Sequence, residues 1–338
     1  MRLDLPESLP LTCPACARQS ERGVELSSLR VESRSLVEGD ELIDGTLRCT
    51  GCARAYPVAS GIPAIWRDLS GVAEALRERL LPPELTALLA EAGSDESPVA
   101  HEAALLGSYL DSSWGDRAVP LPEGPGGQLG MAALAHKVAE RALVPVGRAL
   151  EIGCGVGRGL AHLARGAETC VGLDAGLSSL RCARQILSGA ELSYARRTAG
   201  RSYGAAQIRS GQLAAPRVQL LCADALHPPL APGSFDRVAA LNLLDSVRSP
   251  RLLLDVLCGL LAPGGELLLC SPYAWKSGVT DEAERLGLTD PAAAVRVELV
   301  QRGLTIEDED LHVPWLLRRD ARAASFYDVH WLRARKAS

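Results

Sequence analysis

Residues 148–164, RALEIGCGVGRGLAHLA, join three sequence patterns without a break. A short apolar run predicts a buried strand, alternating glycines predict a tight turn, and the apolar periodicity that follows predicts a helix. Gly153, Gly155 and Gly157 allow the backbone to approach a ligand closely, because no Cβ stands in the way. The N-terminus of the helix offers free N–H groups to a polar or anionic ligand. The stretch therefore predicts a strand–turn–helix unit with a ligand site at the turn.

Further strand and helix patterns alternate downstream of this turn. Four apolar runs predict strands, at residues 168–176, 217–226, 235–241 and 265–273. Residues 249–265 predict a helix that ends at a Pro-Gly-Gly turn. Alternation at this spacing predicts an α/β fold with a doubly wound parallel sheet. In such sheets ligands bind at the carboxyl ends of the strands.

Acidic residues stand at three of the predicted strand ends. Glu151 precedes the first glycine of the turn by two positions, and Asp174 and Asp224 end the next two strands. A glycine-rich turn alone is shared by dinucleotide, flavin and S-adenosylmethionine binders. A carboxylate just before the turn suits the ammonium of a methionine group, whereas a pyrophosphate gains nothing from it. The set favours S-adenosylmethionine, with Asp174 on the ribose hydroxyls and Asp224, beside Ala225, on the adenine.

This motif, E-x-G-x-G-x-G with two downstream strand-end acids, resembles the class I S-adenosylmethionine-dependent methyltransferases over roughly residues 130–336. The resemblance implies a seven-stranded, Rossmann-like methyltransferase sheet and S-adenosylmethionine as cofactor. It also implies a set of cofactor contacts: Glu151, Gly153, Gly155, Gly157, Asp174, Asp224, Ala225 and Asn242. A dehydrogenase is the alternative that the glycine turn leaves open, and each acid taken alone also fits a helix cap or a loop carboxylate.

An amide and a carboxylate follow the fourth strand. Asn242 and Asp245 lie three residues apart, so a helical turn would place both side chains on one face, beside the reacting methyl group. The alternative is structural: Asn242 ends the strand, and Asp245 or Ser246 caps the next helix. A polar pair at the end of a buried strand is costly without a partner. We therefore weigh a role in binding the methyl acceptor against a capping role.

The segments LNLLDSV (241–247), CSPYAW (270–275) and the C-terminal tail (313–336) are similar to two groups of imidazole N-methyltransferases. One is the methyltransferase domain of ovothiol synthases, which methylates thiol-histidine, and the other is the carnosine N-methyltransferases. The resemblance implies four catalytic residues: Asn242, Asp245, Tyr273 and Tyr327. In that interpretation Asp245 accepts the ring N–H of an imidazole, and Tyr273, Trp275 and Tyr327 wall the ring. His330 departs from the pattern, and we expect a core or surface histidine there, with a substrate contact as the alternative.

Two C-x-x-C pairs near the N-terminus have the spacing of a tetrahedral zinc site. The candidate ligands are Cys13, Cys16, Cys49 and Cys52. Two redox pairs are the alternative, but no thioredoxin-like βαβ pattern surrounds them. Together with the following ARAYPVASGIPAIW (53–66), the pairs resemble the Trm112-like zinc-ribbon family over roughly residues 10–68. That resemblance implies a structural zinc ion and a ribbon that partners methyltransferases or is fused to them.

The pattern along the chain predicts three regions within 338 residues. They are a zinc ribbon at 1–68, a helical linker or lid at 69–130 and a methyltransferase domain at 131–338. Helical patterns cover 72–93 and 131–145, and a Pro/Gly-rich loop covers 119–130. Tyr109 and Trp114 fit core packing, with a lid over the ligand as the alternative.

The composition of the chain narrows the classes of function that it can have. The net charge of −5 argues against a chain that grips nucleic acid through its phosphates, although a local basic patch stays possible. We expect the arginines of YARRTAGR (194–201) to be solvated and the six cysteines outside the two pairs to be buried free thiols. The N-terminus lacks a signal-peptide pattern and no run is long enough for a membrane span, so we expect a cytoplasmic protein.

These observations favour a methyltransferase for a small imidazole- or amine-containing metabolite. A methyltransferase for tRNA, rRNA or a translation protein is the second hypothesis. The zinc ribbon favours it, whereas the charge and the lack of an Asn-Pro-Pro-Tyr type motif disfavour it. A non-enzymatic binding module is the third hypothesis. Oligomeric state is left open.

Overall fold

The computed structural model describes residues 1–5, 9–16, 18–20, 23–68, 70, 71, 73, 98–122 and 132–338. Nearly all of the helical pattern predicted for 72–93, and most of the loop predicted for 119–130, lie outside these residues. The helix predicted for 131–145 is present at Ala132–Ala142.

The N-terminal part is an all-β module. It contains a two-stranded hairpin and a four-stranded antiparallel sheet in which consecutive strands are neighbours. The strands are β1 (Arg18–Ser20), β2 (Gly23–Glu25), β3 (Leu29–Glu38), β4 (Glu41–Cys49), β5 (Ala55–Ala59) and β6 (Ile62–Pro63). The two C-x-x-C pairs lie at one end of this sheet, one before β1 and the other at the β4–β5 turn.

The rest of the described chain alternates helices and strands. Its elements are α1 (Pro98–Trp114), β7 (Ala118–Val119), α2 (Ala132–Ala142), β8 (Val146–Ile152), α3 (Arg158–Leu163), β9 (Ala167–Asp174), α4 (Leu177–Leu187), β10 (Leu192–Ala199), β11 (Ser202–Ile208), β12 (Gln219–Cys222), β13 (Phe235–Leu241), α5 (Pro250–Leu260), β14 (Leu261–Ser271), α6 (Pro291–Gln301), β15 (Leu304–Asp320) and β16 (Ala323–Lys336). Short 3-10 turns occur among them, including one at Leu244–Ser246 that matters for the site.

Seven strands form the central sheet, in the order β12-β9-β8-β13-β14-β16-β15. Neighbouring strands are parallel except that β16 runs antiparallel to both of its neighbours. The doubly wound α/β fold predicted above is therefore confirmed. Strand order reverses beside β8, which lies between β9 and β13, and a crevice opens at the carboxyl ends there.

The N-terminal module docks on the sheet of its own chain. Ala64 forms a parallel bridge with Cys222 of the edge strand β12, and the Ile65 N–H donates to the Cys222 carbonyl at 2.8 Å. Buried residues of the module, such as Leu11 and Tyr56, belong to the same apolar cluster as Leu150 of the central sheet. The N-terminal module and the central sheet therefore share one apolar core, and its burial stabilises both.

The hairpin β10–β11 corrects one expectation. Arg196, which we expected to be solvated, is buried, and its Nε donates to Asp111 Oδ1 of α1 at 2.8 Å. A buried guanidinium is costly unless it is paired, and the sequence around Arg196 does not reveal a partner 85 residues away. Trp114 of the same helix donates its Nε1–H to the carbonyl of Val156 at 2.9 Å, and this hydrogen bond connects α1 to the glycine turn.

The six cysteines outside the two pairs are all buried and form no disulfide bond, as expected. Within the described ranges, no helix combines the length and the apolar character that crossing a bilayer requires.

Candidate active site and metal centre

The glycine turn after β8 has the backbone that its sequence requires. Gly153, Gly155 and Gly157 have φ angles of +77°, +50° and +81°, in the left-handed region that side chains disfavour. A Cβ at Gly153 would also meet the Leu243 side chain at 3.0 Å. The turn therefore passes close to the end of β13 without blocking the crevice.

Asp174 anchors this turn from the next strand. Its Oδ2 accepts the N–H of Gly155 at 2.8 Å and its Oδ1 accepts the N–H of Gly176 at 2.9 Å. Burial raises the pKa of Asp174, and the backbone N–H groups of Gly176 and Gly155 oppose that shift. Each carboxylate oxygen keeps accepting capacity beyond its one backbone bond.

Asp224 follows β12 by two residues and has a more crowded carboxylate. Its Oδ1 accepts the N–H of Leu226 at 2.9 Å. Its Oδ2 lies 3.1 Å from both His227 Nδ1 and Arg248 Nη2. The acid predicted for the adenine amine is therefore already held by two side chains at the rim of the crevice.

A cavity of about 610 Å³ lies over these strand ends. Four of the predicted cofactor residues border it: Gly153, Asp174, Asp224 and Ala225. Leu243 and residues 246–248, in the loop after β13, border the cavity on one side. Trp66 and Asp68 of the N-terminal module also border it. Its volume suits a nucleoside-sized ligand.

Glu151 lies behind the glycine turn and does not border this cavity. Its carboxylate fills the space beside Gly159, where an added Cβ would stand 2.4 Å from Oε1. Burial, with Asp174 nearby, raises the pKa of Glu151 to about 8. Its Oε2 has no hydrogen-bond partner among the described residues.

Asn242 and Asp245 do not lie on one helix. Asn242 has a left-handed φ of +56°, and its Oδ1 lies 3.4 Å from Cys270 Sγ. Asp245 lies in the 3-10 turn at Leu244–Ser246, and its Oδ2 accepts the N–H of Ala274 at 2.7 Å. Burial raises the pKa of Asp245. The turn replaces the predicted helical start, so each side chain reaches a different residue at the end of β14.

Aromatic residues follow β14 beside Asp245. Tyr273 and Trp275 also have positive φ angles, +55° and +30°, and their rings lie 6.1 Å apart. Strained backbone of this kind persists only where surrounding contacts hold it, and it is common at functional sites. Tyr327, on β16, stacks on Trp315 with ring centroids 5.1 Å apart.

A chain of hydrogen bonds leads from Tyr273 to the surface. Its hydroxyl lies 2.6 Å from Nδ1 of the buried His330, whose Nε2 lies 2.8 Å from Glu309 Oε1. Glu309 pairs with Arg296 at 2.5 Å. His330 is thus held between two side chains rather than packed as an inert core residue.

His330 should stay neutral where an exposed histidine is charged. Burial lowers its pKa below the ordinary 6.5, whereas the bond to Asp328 raises the pKa of the exposed His312. We expect an NMR titration to show His330 mostly neutral and His312 mostly charged at pH 6.5. Because the unfolded chain binds the His330 proton more readily, acidification below about pH 6.5 lowers the free energy of unfolding at this site. A His330 midpoint above that of His312 would contradict the assignment.

The four paired cysteines form a cluster. Their Sγ atoms all lie within 4.8 Å of one another, with 3.8 Å between Cys13 and Cys52 and 3.5 Å between Cys16 and Cys49. A tetrahedral site with Zn–S bonds of about 2.3 Å requires sulfur–sulfur distances of about 3.8 Å. The donor set therefore fits one zinc ion, with four protein ligands and no open position.

Two contacts were not predicted from the sequence. Trp66, at the end of the ribbon motif, borders the cavity, and His330 contacts Tyr273. For Trp66 the sequence did contain a signal, because aromatic residues make up only 4% of the chain and each one is therefore informative. For His330 no local signal exists, because its partner lies 57 residues away.

The fold and the site together define a class of protein. Residues 150–269 match the family model described as a methyltransferase domain. The chain therefore contains an S-adenosylmethionine-dependent methyltransferase domain, and it is an enzyme of that class. No curated protein matches the chain.

The solved structures that resemble this chain are distant in sequence. The cyclase SpnF is 17% identical, with 72% of this chain and 98% of that chain covered and a TM-score of 0.45. The N-methyltransferase NodS from Bradyrhizobium japonicum WM9, in complex with S-adenosyl-L-homocysteine, is 16% identical (70% and 100% covered, TM-score 0.43). A chain from the complex between the Haloferax volcanii Trm112 methyltransferase activator and a methyltransferase is 17% identical (62% and 93% covered, TM-score 0.40).

Proposed function

We propose that this enzyme transfers a methyl group from S-adenosylmethionine to a ring or amine nitrogen of a small metabolite. The observation that carries the proposal is the cluster at the ends of β13 and β14, where Asp245 lies against the loop of Tyr273 and Trp275. A carboxylate held against a loop that carries two aromatic residues suits a nitrogen base that becomes a cation, because carboxylates and aromatic faces both stabilise positive charge.

Four of the residues proposed for the cofactor border the cavity: Gly153, Asp174, Asp224 and Ala225. Asp174 would accept the ribose hydroxyls, and Asp224 with Ala225 would meet the adenine. Four further residues would complete the cofactor site: Glu151, Gly155, Gly157 and Asn242. Gly155 would hold Asp174 through its hydrogen bond, and Glu151 would support the glycine turn from the side away from the cavity. The bound cofactor supplies an activated methyl group on a sulfonium.

Methyl transfer is an in-line displacement, so the chain mainly aligns the attacking nitrogen. We propose that Asp245 orients the acceptor by taking a hydrogen bond from its second N–H, with Asn242 beside it. Tyr273, Trp275 and Tyr327 would wall the acceptor. The raised pKa of Asp245 makes it a better proton acceptor than an ordinary aspartate. An imidazole is largely neutral at pH 7 and has one bare nitrogen, which fits this arrangement.

We also propose that Cys13, Cys16, Cys49 and Cys52 hold one structural zinc ion in a Trm112-like ribbon. The spacing of the thiols supports this. Burial opposes ionisation of Cys49, but hydrogen bonds from the Cys52 and Gly51 N–H groups and from the Cys16 and Cys13 thiols together lower its pKa to about 6, which favours the thiolate.

A second candidate is methylation of tRNA, rRNA or a translation protein. The ribbon favours it, since ribbons of the family that it resembles partner such enzymes. Incubation with methyl-labelled S-adenosylmethionine and a cell extract, split into small-molecule and macromolecular fractions, separates the two candidates. Histidine, thiol-histidine and carnosine serve as pure acceptors. Label in the small-molecule fraction supports our proposal. Label only in RNA or protein rejects our proposal and supports the second candidate.

Asp245→Asn should spare cofactor binding and lower turnover at least tenfold, about 1.4 kcal/mol in the barrier. The reason is that an amide cannot accept the proton or neutralise the cation. Asp255→Asn is the matched control, because Asp255 is an exposed acid on α5 that pairs with Arg302. If Asp245→Asn turned over as fast as the control, Asp245 would have only a structural role, through its bonds to Ala274 and Ser246.

A further inference from the structure

The segment that leaves the N-terminal module lies at the cavity. Trp66 and Asp68 border the same space as Asp174, the last residue of β9, and Asp224, which follows β12. Trp66 is partly buried, and its ring packs against the apolar cluster beneath the glycine turn. The wall of the cavity is therefore built from both parts of the chain.

This segment is held in place at several points. The Ile65 N–H bond to Cys222 fixes the start of the segment at the last residue of β12, two residues before Asp224. Arg67 Nη1 lies 2.9 Å from His227 Nε2, and the other ring nitrogen of His227 lies 3.1 Å from Asp224. A contact between residues 160 positions apart thus joins the segment to the acid proposed for the adenine.

The cysteine cluster also holds the segment. The Cys49 N–H donates to the carbonyl of Arg54 at 2.9 Å, and the Arg54 guanidinium donates to the carbonyl of Arg67. A continuous line of hydrogen bonds therefore connects a candidate zinc ligand with the residue next to Trp66. Loss of the cluster's geometry would release the segment from one of its supports.

We propose that Trp66 forms a wall of the adenosine site, so that the N-terminal module is part of the cofactor-binding machinery. Adenine binds through a flat apolar face and an edge that hydrogen-bonds, and the cavity offers an indole and a strand-end acid for the two. The inference rests on the proposed cofactor. It assigns to the module a direct contact with that cofactor in addition to its packing on the sheet.

Calorimetry with S-adenosylhomocysteine on the full, metal-loaded chain tests the proposal. We expect Trp66→Ala to weaken binding at least tenfold. Trp66→Phe should weaken it less than about threefold, because stacking on a base requires an aromatic ring and phenylalanine keeps one. Phe326→Ala, which truncates an exposed aromatic side chain on β16, is the control and should bind like wild type. Equal affinity of Trp66→Ala and wild type would overturn the inference and leave the proposed function standing.

Two measurements cover the case in which Trp66→Ala does not fold. The change in tryptophan fluorescence that S-adenosylhomocysteine causes in wild type should be smaller in Trp66→Phe, although Trp114 and Trp275 near the site keep part of it. A change as large as in wild type would overturn the inference. Arg54→Ala should weaken binding about threefold or more, whereas Arg30→Ala, an exposed arginine of the same module, should not. If wild type itself binds no S-adenosylhomocysteine, the proposed function fails and this inference fails with it.

Discussion

Asp174→Ala should weaken binding of S-adenosylhomocysteine by at least 100-fold, about 2.8 kcal/mol. The proposed contact is a pair of charge-assisted hydrogen bonds to ribose hydroxyls, and each such bond contributes about 1.5–3 kcal/mol. The variant also releases the N–H of Gly155 and of Gly176, so the glycine turn loses its anchor. Calorimetry measures the affinity, and circular dichroism shows that the sheet is intact.

Asp236→Ala is the matched control. Asp236 lies near the start of β13, and its Oδ2 accepts the N–H of Arg148 at 2.8 Å, at the end of the sheet opposite the cavity. It should lose some stability and keep its affinity. Near wild-type affinity in Asp174→Ala would remove the ribose assignment while leaving the fold assignment intact.

Cys49→Ser should abolish stoichiometric zinc and lower the free energy of unfolding by more than about 4 kcal/mol. Four thiolates bound to zinc contribute to folding directly, and the module shares its core with the central sheet. Loss of the metal should therefore destabilise both parts together. We also expect weaker binding of S-adenosylhomocysteine, because the Arg54 support of the Trp66 segment depends on the same turn.

The control for this change is Cys258→Ser, which alters a buried free cysteine on α5 away from the cluster. It should keep one zinc per chain, as metal analysis would show. Absence of zinc from freshly purified wild-type protein would reject the metal site and reduce the expected effect of Cys49→Ser to the loss of one buried thiol.

Sequence patterns predicted the architecture well where the information is local. Strand β9 and the turn after β8 were placed correctly, because periodicity and glycine spacing report directly on backbone conformation. The Asn242–Asp245 segment was predicted less well. An i, i+3 spacing implies a shared face only in a helix, and the backbone there turns at a left-handed Asn242 and a 3-10 turn instead.

Residues close in sequence therefore settled the class of this protein: the alternating strands and helices, the glycine turn, the strand-end acids and the two cysteine pairs. Tertiary packing decided which groups meet. Arg196 is buried because Asp111 lies opposite it, His330 joins Tyr273, and Trp66 reaches the cavity of a sheet that begins some eighty residues later. These contacts bridge long loops, and no local period encodes them, because they form only when strand order and docking of the module bring distant segments to one edge.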